Sequence, residues 1–261
     1  MPTWDTAQYL KFGNERTRPA QDLLGGIALE APDRVFDLGC GAGNVTALLA
    51  ARWPQARITG VDSSADMLAK ARGQGANNIE WPNIEWIRAD LNSWVAQQPA
   101  DLLYSNAALQ WLGDHATLFP RLMEMLAPGG VLAVQMPRNH AEPSHTCMFD
   151  AIRCGPWAAK FPTERPPSPV ASPEFYYSIL APVAGRVTIW ETIYHQVLEG
   201  ENPVVEFTRG TALRPILEKL ENSERGRFLD EYSARIAAAY PRRDDGKTLF
   251  PFRRLFIVAI G

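Results

Sequence analysis

No apolar run in these 261 residues approaches the ~20 that a membrane span needs. The start, Met1-Pro2-Thr3-Trp4-Asp5, lacks the basic-then-apolar order of an export signal. Cysteine is scarce: Cys40, Cys147 and Cys154 form no Cys-x-x-Cys pair. An odd, unspaced set fits a reducing cytoplasm better than a disulfide scaffold. Positive charge is not in excess, since 26 Lys and Arg face 29 Asp and Glu for a net charge of -3. A nucleic-acid partner, which asks for a basic face, is therefore not expected, and neither is a membrane. His-Glu-x-x-His, a cysteine metal cluster and Gly-x-Ser-x-Gly are all missing, so no metal and no serine nucleophile is expected. Internal repeats and heptads are absent as well.

Glycine and apolar residues are plentiful, and they are placed. Asp37-Leu38-Gly39-Cys40-Gly41-Ala42-Gly43 follows the apolar run Arg34-Val35-Phe36 and precedes a helix-like run from Asn44 to Ala51. That order reads as strand, glycine turn, helix. A turn without side chains lets backbone approach a nucleotide-like ligand closely. The third glycine comes one residue early for Gly-x-Gly-x-x-Gly, because Asn44 stands where that pattern needs glycine. The turn thus suits a nucleoside without a pyrophosphate better than a dinucleotide, which disfavours a nicotinamide dehydrogenase.

Strand and helix signals alternate from residue 34 to 136. Strands are expected at Val35-Phe36, Arg57 to Asp62, Ile84 to Asp90, Ala100 to Asn106 and Val131 to Met136. Helices are expected from Ala65 to Gly73 and from His115 to Ala127, the latter stopped by Pro128-Gly129-Gly130. Such alternation demands a parallel sheet with helices on both faces. Beyond Pro137 the pattern changes. Ser144 to Lys160 and Glu174 to Leu180 read as helices, with a proline-rich loop between them. Arg186 to Leu198 reads as a strand, Pro203 to Tyr240 as mostly helical, and Arg254 to Ile260 as a closing strand. The last two strands are expected to pair at one sheet edge, with the helices between them as a lid. One domain is expected: a cap over 1–30, a ligand-binding core over 31–137, a lid-bearing half over 138–250 and a closing strand over 251–261.

Ligands of open parallel sheets bind beyond the carboxyl ends of the strands. Asp37, Asp62, Asp90 and Asn106 fall there. Asp62, about twenty residues past the turn, is placed to accept from both ribose hydroxyls. Asp90 suits an exocyclic amine, with Leu91 packed on the ring. Each of the aspartates alone could simply cap a helix.

The Asp-x-Gly-x-Gly-x-Gly turn resembles the first motif of class I S-adenosylmethionine-dependent methyltransferases. Gly60 to Leu68, holding Asp62, Ser63 and Met67, resembles their second, and Leu126 to Gly130 the turn before their fifth strand. Three further stretches are similar to the trans-aconitate 2-methyltransferases: Trp4-Asp5 with Tyr9 to Phe12 and Glu15 to Ala20; Ser105 to Trp111; and Ala133 to Pro137 with Asn139 and Glu142 to His145. The resemblance implies a Rossmann-like fold with a mostly parallel seven-stranded sheet. It implies S-adenosylmethionine as cofactor, and methyl transfer to a carboxylate of trans-aconitate. The cofactor set is then Arg16, Asp37, Gly39, Cys40, Gly41, Gly43, Asp62, Ser63, Met67, Asp90, Leu91 and Asn106.

A carboxylate is already ionised at pH 7, its pKa being ~4, so no general base is required. A tricarboxylate does need cations, and arginine suits carboxylates best. Arg16 and Arg18, ahead of the first strand, and Arg138, with His140 and His145 after the fifth, are the candidates. Arg253 and Arg254 come next. Tyr9 and Trp111 are candidate pocket walls. The substrate set is thus Tyr9, Arg18, Trp111, Arg138 and His145, with Arg16 divided between cofactor and substrate. Asn106-Ala107-Ala108-Leu109 is not Asn-Pro-Pro-Tyr, which argues against N-methylation of adenine or glutamine. Methylation of another small or carrier-bound carboxylate, and binding of the cofactor without catalysis, remain open alternatives. The oligomeric state is not legible.

Overall fold

The computed structural model describes residues 13–74, 83–162 and 168–261, with backbone alone for 13–16 and 74. Tyr9 lies outside the described residues, and so does the side chain of Arg16. The elements run α1 (Gly13–Gly25), β1 (Arg34–Leu38), α2 (Asn44–Arg52), β2 (Arg57–Asp62), α3 (Ala65–Gln74), β3 (Ile84–Arg88), β4 (Ala100–Asn106) and α4 (His115–Met123). They continue as β5 (Leu126–Pro137), α5 (Pro143–Cys154), α6 (Pro173–Leu180), β6 (Arg186–Leu198), α7 (Pro203–Arg209), α8 (Arg214–Lys219), α9 (Asn222–Ala239) and β7 (Thr248–Ile260).

Seven strands form one sheet in the order β3-β2-β1-β4-β5-β7-β6. The pairs β1–β2, β1–β4, β2–β3 and β4–β5 are parallel, and β7 enters antiparallel to β5. The chain divides into two compact units. Of the described residues, the first holds those within 17–137, 169–192 and 254–261; the second holds those within 13–16, 138–168 and 193–253. Both β6 and β7 contribute residues to each unit.

In the first unit, Leu103, Leu132, Val134, Leu255 and Ile257 pack with Leu118, Phe119 and Leu122 of α4 and with Tyr176 and Leu180 of α6. On the opposite face, Tyr104 of β4 donates its hydroxyl to the Ala20 carbonyl of α1 at 2.7 Å. Helices thus cover both faces. The second unit has its own core, in which Trp157, Phe228, Tyr232, Phe250 and Phe252 are buried among Met148, Val204 and Ile236.

Three boundaries correct the sequence reading, and one mostly helical stretch is resolved into its parts. The fourth helix ends at Met123, and Leu126 already pairs with Ala100. Sheet pairing wins over the helical pattern there, and residues 127–130 bulge where the register shifts between Ala100 and Leu102. Helix α5 ends at Cys154, where Gly155 has no Cβ to collide with the Trp157 indole; Ala158–Lys160 is a separate 3-10 turn. The stretch from Pro203 to Tyr240 is three helices, two of them opened by proline near the first position. Strand β7 is 13 residues long and starts at Thr248, well before Arg254.

Candidate active site

Three glycines of the turn after β1 take positive φ: Gly39 at 77°, Gly41 at 55° and Gly43 at 87°. Two are also wedged. A Cβ on Gly39 would stand 2.2 Å from the Cβ of Ala108, and one on Gly43 would stand 2.6 Å from the Trp86 indole. Gly41 differs, because a Cβ there would meet nothing within 4 Å. Its bare backbone faces open space at the centre of the turn.

The turn is held by the end of β2 and the loop beyond it. Gly39 and Cys40 both donate their N–H to the Val61 carbonyl, at 2.8 and 3.1 Å. Gly41 donates to Asp62 Oδ2 at 2.9 Å, while Asp62 Oδ1 accepts from Ser64 N–H at 2.8 Å. One carboxylate therefore ties two loops together, and each oxygen keeps a lone pair for a further donor. Gly43 donates to the Cys40 carbonyl at 3.0 Å. These four turn amides are committed within the protein, which agrees with a turn that does not grip phosphate.

Asp37 lies beneath this turn, 1% exposed, and accepts from the Thr46 hydroxyl at 2.6 Å. Burial, with the neighbouring Asp62 charge, pushes its pKa up to about 7 against the opposing pull of Thr46. Burial and the same two aspartates raise the Cys40 thiol well above its usual range, so Cys40 is an inert neutral thiol. The loop after β3 joins through Ala89 N–H, which donates to the Asp62 carbonyl at 3.1 Å. Asp90, exposed, uses Oδ1 to accept from both the backbone and the side-chain amide of Asn92 at 2.9 Å. Leu91 beside it is buried. Met67 and Ser63 are half-buried, and Met67 N–H donates to Ser64 Oγ at 3.3 Å.

After β4 the chain turns sharply at Ala107, whose φ of 55° is unusual for a residue with a Cβ. The Asn106 amide oxygen is buried with no hydrogen-bond partner among the described residues. The turn Leu109–Trp111 is clamped by His115, which donates Nε2–H to the Leu109 carbonyl at 3.0 Å and accepts from Tyr176 Oη at 2.7 Å.

The structure thus brings together Asp37, Gly39 to Gly43, Asp62, Asp90, Leu91 and Asn106. Arg18 is placed differently: its side chain is 73% exposed and lies 4.0 Å from Asp22, one turn along α1. Trp111 is also exposed. Arg138 and His145 belong to the second unit. There Arg138 N–H donates to the Arg253 carbonyl at 3.0 Å, and His145 Nδ1 lies 3.1 Å from Ser144 Oγ.

Sequence reading passed over three supports: Thr46, His115 and Trp86. A Cβ on Gly60 would come within 2.5 Å of the Trp86 ring and 3.1 Å of Cys40 Sγ. The signal for Trp86 was the lone glycine inside β2, which marks a close approach.

A methyltransferase-domain family profile covers residues 35–130. A trans-aconitate 2-methyltransferase of Azoarcus sp. strain BH72 is 52% identical over 260 residues, spanning 100% of both chains. The chain belongs to the trans-aconitate 2-methyltransferase family. Family members of that name from Rhodopseudomonas palustris strain BisB18 and Methylobacterium radiotolerans are 47% and 46% identical, over 100% and 99% of this chain and 100% and 98% of theirs. Among solved structures, a SAM-dependent methyltransferase from Geobacter sulfurreducens in complex with S-adenosyl-L-homocysteine aligns with a TM-score of 0.58 and 17% identity, over 94% of this chain and 91% of that one. A putative methyltransferase from Bacillus halodurans C-125 aligns with a TM-score of 0.59 and 13% identity, over 93% and 98%. These two establish the class I methyltransferase fold for a family whose members are far closer in sequence.

Proposed function

We propose that this chain transfers the methyl group of S-adenosylmethionine to a carboxylate of trans-aconitate, giving a monomethyl ester and S-adenosylhomocysteine. Full-length identity of 52% to a relative so named carries the acceptor. The open Gly41 backbone, with Asp62 held beside it, supports the cofactor. Gly39, Cys40, Gly41 and Gly43 form the floor under the amino-acid arm. Asp62 accepts from the ribose hydroxyls through its remaining lone pairs, and Ser63 and Met67 flank it. Asp90 and Leu91 take the adenine. Asn106 offers its amide oxygen to the ammonium group. Asp37 holds the turn from below through Thr46. Arg16 stays in the set as the counter-charge for a carboxylate, and Tyr9, Arg18, Trp111, Arg138 and His145 as the acceptor's surroundings.

Bound S-adenosylmethionine supplies an electrophilic methyl on a sulfonium. The protein's work is then alignment. Holding the acceptor oxygen in line can lower a barrier by ~7–11 kcal/mol. An acceptor ionised at pH 7 needs no proton removed, so no side chain serves as a base. The acidic balance of the chain speaks for a small acceptor over a carrier protein or a nucleic acid. Among the described residues no helix is long and apolar enough to cross a membrane. Unspaced cysteines favour the cytoplasm.

The test is incubation with methyl-labelled cofactor and a panel of di- and tricarboxylic acids, followed by a search for base-labile methyl esters. Trans-aconitate is expected to be the preferred acceptor. Tight cofactor binding with no ester from any acid would overturn the reading.

A further inference from the structure

Arg121 stands in the last turn of α4, where a cation commonly does no more than favour the carbonyl end of its own helix. This one reaches further. Its guanidinium donates Nη2–H to the Leu91 carbonyl at 2.7 Å and Nη1–H to the Trp94 carbonyl at 2.8 Å, both in the loop after β3. Those carbonyls belong to one isolated helical turn. The Asp90 carbonyl accepts from Ser93 N–H at 3.0 Å and from Trp94 N–H at 2.8 Å, and the chain then leaves the helical path. A turn that is not continued strands its last carbonyls. The planar fork of an arginine satisfies two of them at once. At the other end Asp90 Oδ1 closes the turn by accepting from Asn92 N–H at 2.9 Å, which leaves Oδ2 for a ligand. An anion therefore caps the front of this turn and a cation its back.

We infer that Arg121 is a positioning residue for the adenine of S-adenosylmethionine: it holds the turn Asp90–Trp94 in the rotation that aims the Asp90 carboxylate at the exocyclic amine. This rests on the assignment of Asp90 and Leu91 to adenine proposed above. Arg121 acts through the loop and does not touch the ligand. The apolar contacts cannot do this work alone. Leu91 is buried, and Trp94 leans on Phe36 with ring centroids 5.4 Å apart, so both side chains anchor the loop from below. Apolar burial is non-directional, so it fixes depth and not rotation. Asp90, Asn92 and Ser93 are exposed and reachable by a base. Their direction depends on the hydrogen bonds of the turn, and the two that reach outside it to another element come from Arg121. The same arm occupies the Leu91 carbonyl, so the Asp90 carboxylate is left as the acceptor that a base amine meets. A purine without that amine has nothing to give there.

The test uses the full chain and Arg121→Met, which keeps an unbranched stem and removes both donors. Binding of S-adenosylhomocysteine, and of methylthioadenosine, which lacks the amino-acid arm, is measured by calorimetry well below each melting temperature. We expect both dissociation constants to rise about tenfold, because a misaimed Asp90 forfeits a hydrogen bond to a charged group. KM for S-adenosylmethionine rises with them, while kcat stays within about threefold. Arg121→Lys keeps the charge without the fork; it gives about a threefold rise and serves should Arg121→Met fold poorly. S-inosylhomocysteine has no exocyclic amine, so Arg121→Met should change its affinity by less than about twofold. A merely structural arginine would lower the melting temperature and leave the affinities where they were, and that result overturns the inference. So does a loss confined to S-adenosylhomocysteine, or an equal loss for the inosyl analogue. Asp90→Ala separates the two levels. If it leaves S-adenosylhomocysteine affinity unchanged, the adenine assignment fails and the inference with it. If it weakens binding while both Arg121 variants do not, the inference alone is wrong.

Discussion

The glycine-turn end of the sheet and the aromatic core of the second unit are held together by different means. At the turn, the backbone does the holding: positive φ at three glycines, amides donated to Val61 and Asp62, and a close pass of Gly39 by Ala108. In the second unit, aromatic side chains do the holding, two of them across long sequence distances. Tyr232 donates to the Ser144 carbonyl at 2.8 Å, Tyr240 accepts from Ser144 N–H at 3.1 Å, and the Trp157 indole donates to the Ala151 carbonyl at 3.0 Å. Two of those bonds fix the start of α5, next to His145. The difference teaches where a site can be read in a chain. A turn made by local backbone geometry leaves a local signature. A helix end pinned by hydroxyls from residues 88 and 96 positions away leaves none.

The sharpest break of that comparison is Gly39→Ala. Its Cβ collides with Ala108 in a backbone region that L-residues avoid, so a loss of about 2–5 kcal/mol is expected in urea melts. Gly41→Ala, with no protein atom within 4 Å, costs only about 1–2 kcal/mol of stability but obstructs S-adenosylmethionine in calorimetry. Equal effects of the two on stability would erase the distinction between a wedged glycine and an open one.

Asp62→Ala is expected to weaken cofactor binding by about 1.5–3 kcal/mol, the range for hydrogen bonds to a charged group. Stability falls too, since Gly41 and Ser64 lose their acceptor. Unchanged affinity by calorimetry would remove Asp62 from the cofactor set.

The matching probe of the second unit is Tyr232→Phe. It leaves the ring packing intact and strips a buried carbonyl of its donor, for an expected loss of about 1–2 kcal/mol in the same melts. Cofactor affinity should not move. A combined loss of stability and cofactor binding would mean that the two regions are not energetically separate.

Asp37 gives a smaller, pH-dependent effect. Its pKa rises from an ordinary carboxylate value to about 7 on folding, so the folded state holds a proton that the unfolded chain releases. The native state is then favoured at low pH, and this contribution is lost as pH rises from about 4 through 7. Asp37→Asn keeps a partner for Thr46 without the charge. Relative to wild type, its melting temperature should gain as pH goes from 5 to 8; a constant difference would refute the assignment. Smallest of all is Arg18→Ala. An exposed pair one turn apart on a helix contributes about 0.3–0.5 kcal/mol, so the melting temperature should barely change.

The same contrast explains what sequence disclosed. Strands ended by Asp62 and Asn106, and the turn from Gly39 to Gly43, were legible because alternation and glycine placement are local. The end of α4 was not, because pairing of Leu126 with Ala100 is a contact across the sheet. Nor was the full length of β7, whose first half carries Phe250 and Phe252 into the aromatic core. Arg121 passed as one basic residue near a helix end, because a single charged letter does not say what its arms reach.

Trp86 has a practical use that arises from its place against Gly43 and Gly60. Its indole and the Cys40 sulfur crowd the same point, so its emission is sensitive to any shift of the turn. A nucleoside entering at Gly41 is expected to change the surroundings of that indole. The difference between wild type and Trp86→Phe then isolates one fluorophore, and the protein carries its own dye for timing how fast a ligand arrives and leaves.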